Sequence, residues 1–158
     1  MTVSLSRIAS DTENYEANDL SGAGAEKTGG RWNRAGRPVV YASLTVALAC
    51  LETVVHLNVA RLPLNRFLLR LDVPDKVWAA RQVRLPEDLP VGWSAIPEGK
   101  VSLDVGDAWL SALSSALLLV PSVIVPEELN VLMNPKHPDA TKISAAKVRA
   151  WSYDGRLV

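Results

Sequence analysis

Pro38-Val39-Val40-Tyr41-Ala42-Ser43-Leu44-Thr45-Val46-Ala47-Leu48-Ala49-Cys50-Leu51-Glu52-Thr53-Val54-Val55-His56-Leu57-Asn58 is the stretch on which the fold class turns. Its first five residues are rich in β-formers and predict a short strand. Ser43 or Thr45 then offers a side-chain oxygen to cap a helix, satisfying free amides of the first turn. The helix is expected from about Thr45 to Asn58, ending well before Pro63. Nearly every position in it is apolar, so it should be largely buried.

Outward from this unit, strand signals dominate. Phe67–Val73 alternates apolar residues with Arg70 and Asp72 and stops at Pro74, a half-buried strand pattern. Val77–Leu85 is a further strand candidate. Residues 86–104 hold three prolines and two glycines and read as a long irregular excursion. Asp107 is placed to cap a short helix through Trp109 and Leu113. Leu117–Val125 is a β-like apolar run broken only by Pro121 and Ser122, and Asn130–Met133 and Ile143–Tyr153 complete the strands around a turn at residues 134–138. Residues 18–30, Gly- and Ser-rich, read as an extended loop. The expected class is α+β, with a mixed or mostly antiparallel sheet rather than regular βαβ alternation.

At 158 residues, 48% apolar and 22% charged, the chain fits one globular domain over 1–158 and excludes a mainly disordered chain. Lys plus Arg and Asp plus Glu are 17 each. This balance argues against direct nucleic-acid binding, which shows as clustered positive excess. It also leaves the chain weakly self-repelling, compatible with life in a complex. The single cysteine, Cys50, needs no oxidising compartment, and with only His56 and His137 no metal site is expected. No basic-flanked apolar leader opens the chain and no apolar run reaches the ~20 residues of a bilayer span, so the expected location is the cytoplasm, away from membranes.

Zero net charge conceals a local asymmetry. Residues 1–26 carry one base, Arg7, against five acids, whereas residues 27–37 carry Lys27, Arg31, Arg34 and Arg37 and no acid. Gly29-Gly30-Arg31-Trp32-Asn33-Arg34-Ala35-Gly36-Arg37 therefore combines close backbone approach with guanidinium forks that match phosphate oxygens. A nucleotide diphosphate contact and a solvated basic turn both fit; the glycine spacing is neither a Walker loop nor a dinucleotide fingerprint. Glu52 stands out against its apolar neighbours. A desolvated carboxylate is costly and often functional, yet Thr45, Glu52 and His56 share one helix face that periodicity alone assigns to water. Tyr41 fits both a ligand-stacking ring and ordinary strand packing. Ser122 follows a proline that breaks the β ladder, either as a re-aimed side chain or as a plain strand break. No histidine lies in a Ser/His/Asp or Cys/His arrangement.

Taken in order, these segments resemble the RES-domain family, the toxins of type II toxin–antitoxin modules. The residues that carry the resemblance are Leu20-Ser21-Gly22, Gly29–Asn33, Val40-Tyr41, Ala49–Glu52, Val120-Pro121-Ser122, Asn130–Pro135 with His137-Pro138, and Trp151–Leu157. Arg34 departs from the proline that often follows the asparagine. The resemblance implies a fold similar to ADP-ribosyltransferases, with mixed or antiparallel sheets and a few flanking helices. It implies NAD+ as substrate, no cofactor, and Arg31, Tyr41 and Glu52 as the catalytic set. Ser122, Trp32, Asn33 and Asn134 join Arg31 and Tyr41 as substrate-binding candidates. The implied partner is a cognate Xre-type helix-turn-helix antitoxin, with room for a homodimer inside that complex. Net NAD+ degradation is the first expectation and ADP-ribosylation of a protein the alternative. A non-catalytic nucleotide-binding module and an endoribonuclease are the competing classes.

Overall fold

The computed structural model describes residues 1–57 and 62–157. Among these residues seven strands, β1 (Thr2–Ser10), β2 (Val40–Ser43), β3 (Arg66–Pro74), β4 (Gln82–Val83), β5 (Leu117–Pro121), β6 (Leu129–Met133) and β7 (Ser144–Ala150), form one sheet in the order β4-β5-β6-β2-β1-β3-β7. Every neighbouring pair is antiparallel except β4–β5. Among the described residues four α-helices accompany it: α1 (Ala23–Thr28), α2 (Val46–Val54), α3 (Asp75–Ala79) and α4 (Lys100–Ala112). The α+β class with a mixed, mostly antiparallel sheet is therefore as expected. No helix among the described residues is long and apolar enough to cross a membrane.

The sheet is two well-paired halves joined at one point. β1 pairs with β3 from Thr2↔Pro74 to Ser10↔Arg66, and β3 carries β7 on its other side. β2, β6, β5 and β4 form the second half. The halves meet through a single register pair, Ser6↔Ser43, and beyond it β1 and β2 part. β5 is buried at all five positions. Leu117 and Leu119 join a core with Leu5, Val40, Leu69, Leu71 and Val131, while Leu118 and Val120 join a second core of Trp32, Val39, Trp93, Trp109 and Leu132. That alternation explains the unbroken apolar run, which is the mark of a strand covered on both faces.

Several local expectations are corrected. The strand expected at Val77–Leu85 is α3 followed by the two-residue β4, because Val77 turns into the core while Lys76 and Ala79 face water. The excursion from residue 86 ends at Gly99, where α4 begins; Asp107 lies inside that helix rather than at its cap. The loop expected at 18–30 contains α1. The helix expected from about Thr45 is α2, capped by Thr45, whose Oγ1 accepts from the Leu48 amide at 3.1 Å, but it ends at Val54, and Asn58 lies outside the described residues. Only Leu48 and Ala49 of α2 are buried. Of its residues, Ala49, Glu52 and Thr53 border an opening.

Candidate active site

Where the half-sheets part, a cleft of about 980 Å³ opens, within the range of small-molecule sites. β1, β2, α2, the loop at 29–32 and the segment 96–98 all contribute to its lining. Glu52 lines it, so the face read as solvent-directed carries the carboxylate into a cleft; His56 sits at the rim, exposed. One carboxylate oxygen, Oε1, accepts from Ser122 Oγ at 2.6 Å and from Asn130 Nδ2 at 2.7 Å. Ser122 is fully buried, and its Oγ also accepts from the amides of Ile124 and Val125, which fixes the hydroxyl so that its proton points at Glu52. The strand break at Pro121-Ser122 thus re-aims a side chain. Tyr153 holds α2 one residue further on, its hydroxyl donating to Thr53 Oγ1 at 2.7 Å.

The glycine- and arginine-rich segment is organised around Asn33, which is fully buried. Its Nδ2 donates to the carbonyls of Ala25 and Arg37, both at 2.9 Å, and its Oδ1 accepts from Tyr41 OH at 2.6 Å. The same hydroxyl accepts from the Trp32 amide at 3.1 Å. Gly30 makes this possible, since a Cβ there would lie 2.8 Å from the Tyr41 oxygen. Asn33 is accordingly a loop organiser and is not among the cleft-lining residues. Tyr41 presents its ring to the cleft with its hydroxyl already engaged, and burial pushes that hydroxyl far above the usual phenol range. Tyr41→Phe, which removes both hydrogen bonds, should cost about 1–3 kcal/mol of stability, readable by thermal unfolding; an unchanged Tm would show that the loop is held by other contacts.

The basic cluster is less free than its sequence suggests. Arg34 is paired with Asp104 and Asp107 of α4, each at 2.8 Å, and Arg37 donates to the Asp107 carbonyl and to Ser111 Oγ. The acids absent from the segment are supplied by α4. Arg31 alone of the three arginines lines the cleft, and its Nη1 donates to the carbonyls of Trp93 (3.1 Å) and Ala95 (2.8 Å). With Trp32 stacked on Trp93 at 6.3 Å, it ties the 93–98 segment across one side of the opening. Asn134 is not brought to the cleft: it is buried, donating to the Leu110 carbonyl and accepting from the Lys136 amide. Its amide is engaged by the backbone of Leu110 in α4 and of Lys136 just past β6, and it borders a separate, smaller recess with Arg37 and Lys136.

Two cleft residues escaped the sequence reading. Arg7 lines the parting of the half-sheets, its Nη1 reaching the Tyr41 carbonyl at 2.5 Å, while its buried Nε has no partner among the described residues. Burial lowers its pKa, against the raising influence of Tyr15 and Asp19. Arg66 at the start of β3 likewise leaves a buried Nε unpartnered. The available signal was parity: Arg7 falls on the same side of β1 as the core residues Leu5 and Ala9. Among the described residues no three His, Cys, Asp or Glu side chains group to hold a metal ion. Burial raises the Cys50 thiol pKa, as for an unreactive cysteine.

Residues 4–155 match the RES domain. The chain belongs to the RES-domain family. A Sphingobium sp. protein named Prs ADP-ribosylating toxin is 60% identical to this RES domain over 158 residues, covering 100% of this chain and 98% of that protein. Toxin Res of Pseudomonas putida is 43% identical over 141 residues, 88% of this chain and 92% of its own. Both relatives are named as toxins. The architecture of this RES domain is shared by the M. tuberculosis MbcT-MbcA toxin-antitoxin complex, with TM-score 0.68, 16% identity, and 99% and 87% of the two chains covered. That likeness concerns the fold alone.

Proposed function

We propose that this RES domain cleaves the nicotinamide–ribose bond of NAD+ and transfers the ADP-ribose to a protein acceptor. The observation that carries this is Glu52, a carboxylate fixed through one oxygen by Ser122 and Asn130 at the wall of a nucleotide-sized cleft. Nicotinamide in NAD+ is already cationic, so it takes the bonding electron pair and leaves neutral, without a general acid. Positive charge then develops on the ribose, as in glycoside hydrolysis. A fixed carboxylate beside that carbon stabilises it and accepts the proton released as the acceptor attacks. Arg31 and Arg7 supply guanidinium groups for the diphosphate, and the Tyr41 ring, held by its engaged hydroxyl, gives a flat surface to nicotinamide or ribose. Ser122 acts through Glu52, and Trp32 lines the site behind Arg31.

The acceptor is proposed from kinship. The relative named Prs ADP-ribosylating toxin matches this chain end to end at 60% identity, and Prs is the acceptor proposed here. The similarity to a toxin–antitoxin complex supports an antitoxin partner, of the Xre type implied by the sequence resemblance. The test is incubation with NAD+ labelled on its adenylate part, with and without purified Prs. Label on Prs together with released nicotinamide is expected. Nicotinamide release with no label on Prs would replace transfer by hydrolysis, the net degradation first expected from the sequence; no release under either condition would overturn the reading.

A further inference from the structure

Glu52 is held by two donors on one oxygen, and only one of them, Ser122, belongs to the sequence-derived set. The other leads back into the fold. Asn130 on β6 and Ser43 on β2 are register partners, and Ser43 is also the residue through which β2 meets β1. Asn130 Oδ1 accepts from Ser43 Oγ at 2.7 Å, while its Nδ2 donates to Glu52 Oε1 at 2.7 Å. The amide has one orientation that fits: an ionised carboxylate only accepts, so the NH₂ must face Glu52, the amide oxygen must face Ser43, and the serine must donate. Every donor in this row points toward the carboxylate. Oε2 receives no hydrogen bond from the described residues, so the row holds one oxygen and leaves the second for the ligand.

The geometry points to Asn130 as a positioning residue, which through the relay Ser43–Asn130–Glu52 sets the orientation of the carboxylate and anchors it to the seam between the half-sheets. This role in turnover rests on Glu52 being the working carboxylate proposed above. Its position at the seam has a consequence for specificity of effect. Ser43 borders the cleft but is joined to Glu52 only through Asn130, so in this scheme it acts by orienting the amide.

The test is a double-mutant cycle with Asn130→Ala, Ser43→Ala and the pair, reading kcat and KM for nicotinamide release and checking folding by thermal unfolding. Asn130→Ala should lower kcat by about ten- to a hundredfold, the factor one charge-assisted hydrogen bond commands, with KM for NAD+ little changed. Ser43→Ala should lower kcat by a smaller factor and add nothing in the Asn130→Ala background, because its effect travels through that amide. Additive losses, or a rise in KM with kcat intact, would overturn the relay. If Asn130→Ala does not fold, Ser43→Ala decides, and wild-type kcat there would overturn it. A second readout needs no turnover: the carboxyl-carbon NMR resonance of Glu52, identified by its loss in Glu52→Gln, should move in both single variants and not in Lys142→Ala. An unmoved resonance would overturn the inference. A wild type inert toward NAD+ with a resonance that moves would remove the proposed reaction and leave the positioning intact.

Discussion

Gly106→Ala should destabilise the fold by about 3 kcal/mol and lower Tm by roughly 6–12 °C, at about 2–4 °C per kcal/mol for a chain of this size. By intrinsic propensity the change should help, since alanine is favoured over glycine inside a helix by about 1 kcal/mol. The structure reverses the sign. A Cβ at Gly106 would lie 1.6 Å from the Trp32 carbonyl oxygen and 2.5 Å from its carbon. Backbone, not a flexible side-chain tip, blocks it, so α4 and the loop must separate. Separation strains what joins them: Arg34 with Asp104 and Asp107, and Arg37 with the Asp107 carbonyl and Ser111. It also loosens Trp32 and Trp109 in the core they share. Because the same loop carries Arg31 into the cleft and holds the Tyr41 hydroxyl through Asn33, NAD+ turnover should fall with stability. Thermal unfolding of the purified variant checks this; a Tm equal to or above that of the parent would show that α4 shifts without resistance.

Gly106 also shows where the sequence was silent. A glycine amid Asp104 and Asp107, after a proline-rich excursion, weakens the local argument for a helix before Asp107, where the expected short helix begins, yet α4 starts at Lys100 and is the longest helix among the described residues. Val101, Val105 and Trp109 do recur at helical spacing and pack toward one core, but the reason for the glycine is Trp32, 74 positions earlier, a contact no local pattern can reveal. Strands with strict alternation or unbroken apolar runs, β3 and β5, were legible because their burial is decided by parity alone. β1 was not, since the alternation of Val3-Ser4-Leu5-Ser6 breaks at Arg7, a charged residue at a core-side position, and Ile8 falls out of phase. At the site, Glu52 was legible as an anomaly but its environment was not. Periodicity divides a helix into core and solvent faces and has no category for a face that borders a cleft. The basic loop erred in the opposite direction: its arginines were counted as free charge, whereas α4 pairs two of them, leaving Arg31 and the unread Arg7 at the opening. Long-range electrostatic pairing, like the Gly106 contact, is a property of the fold and not of the segment.

Glu52→Gln should reduce nicotinamide release from NAD+ by about 10²–10³-fold while leaving thermal unfolding and NAD+ binding close to those of the parent. The amide oxygen of glutamine can still accept from Ser122 and Asn130, so the anchored end of the side chain keeps both hydrogen bonds. What changes is the other end, where a negative oxygen becomes an NH₂ donor facing the carbon on which positive charge develops. The loss therefore falls on the transition state and not on the bound substrate, and should appear in kcat with little change in KM. Glu52→Asp provides a graded companion. It keeps the charge but withdraws it by one methylene, so the carboxylate can meet its two donors or the ribose and not both, a displacement of about 1 Å that costs on the order of 10²-fold. If the variants are expressed without antitoxin, growth arrest should weaken in the same order, Glu52→Asp before Glu52→Gln. A folded Glu52→Gln protein that released nicotinamide at the parental rate would remove the Glu52 carboxylate from the chemistry, which would then have to be carried by the arginines or by Asp19, a cleft carboxylate that also has two donors, both from Ser21, on one oxygen.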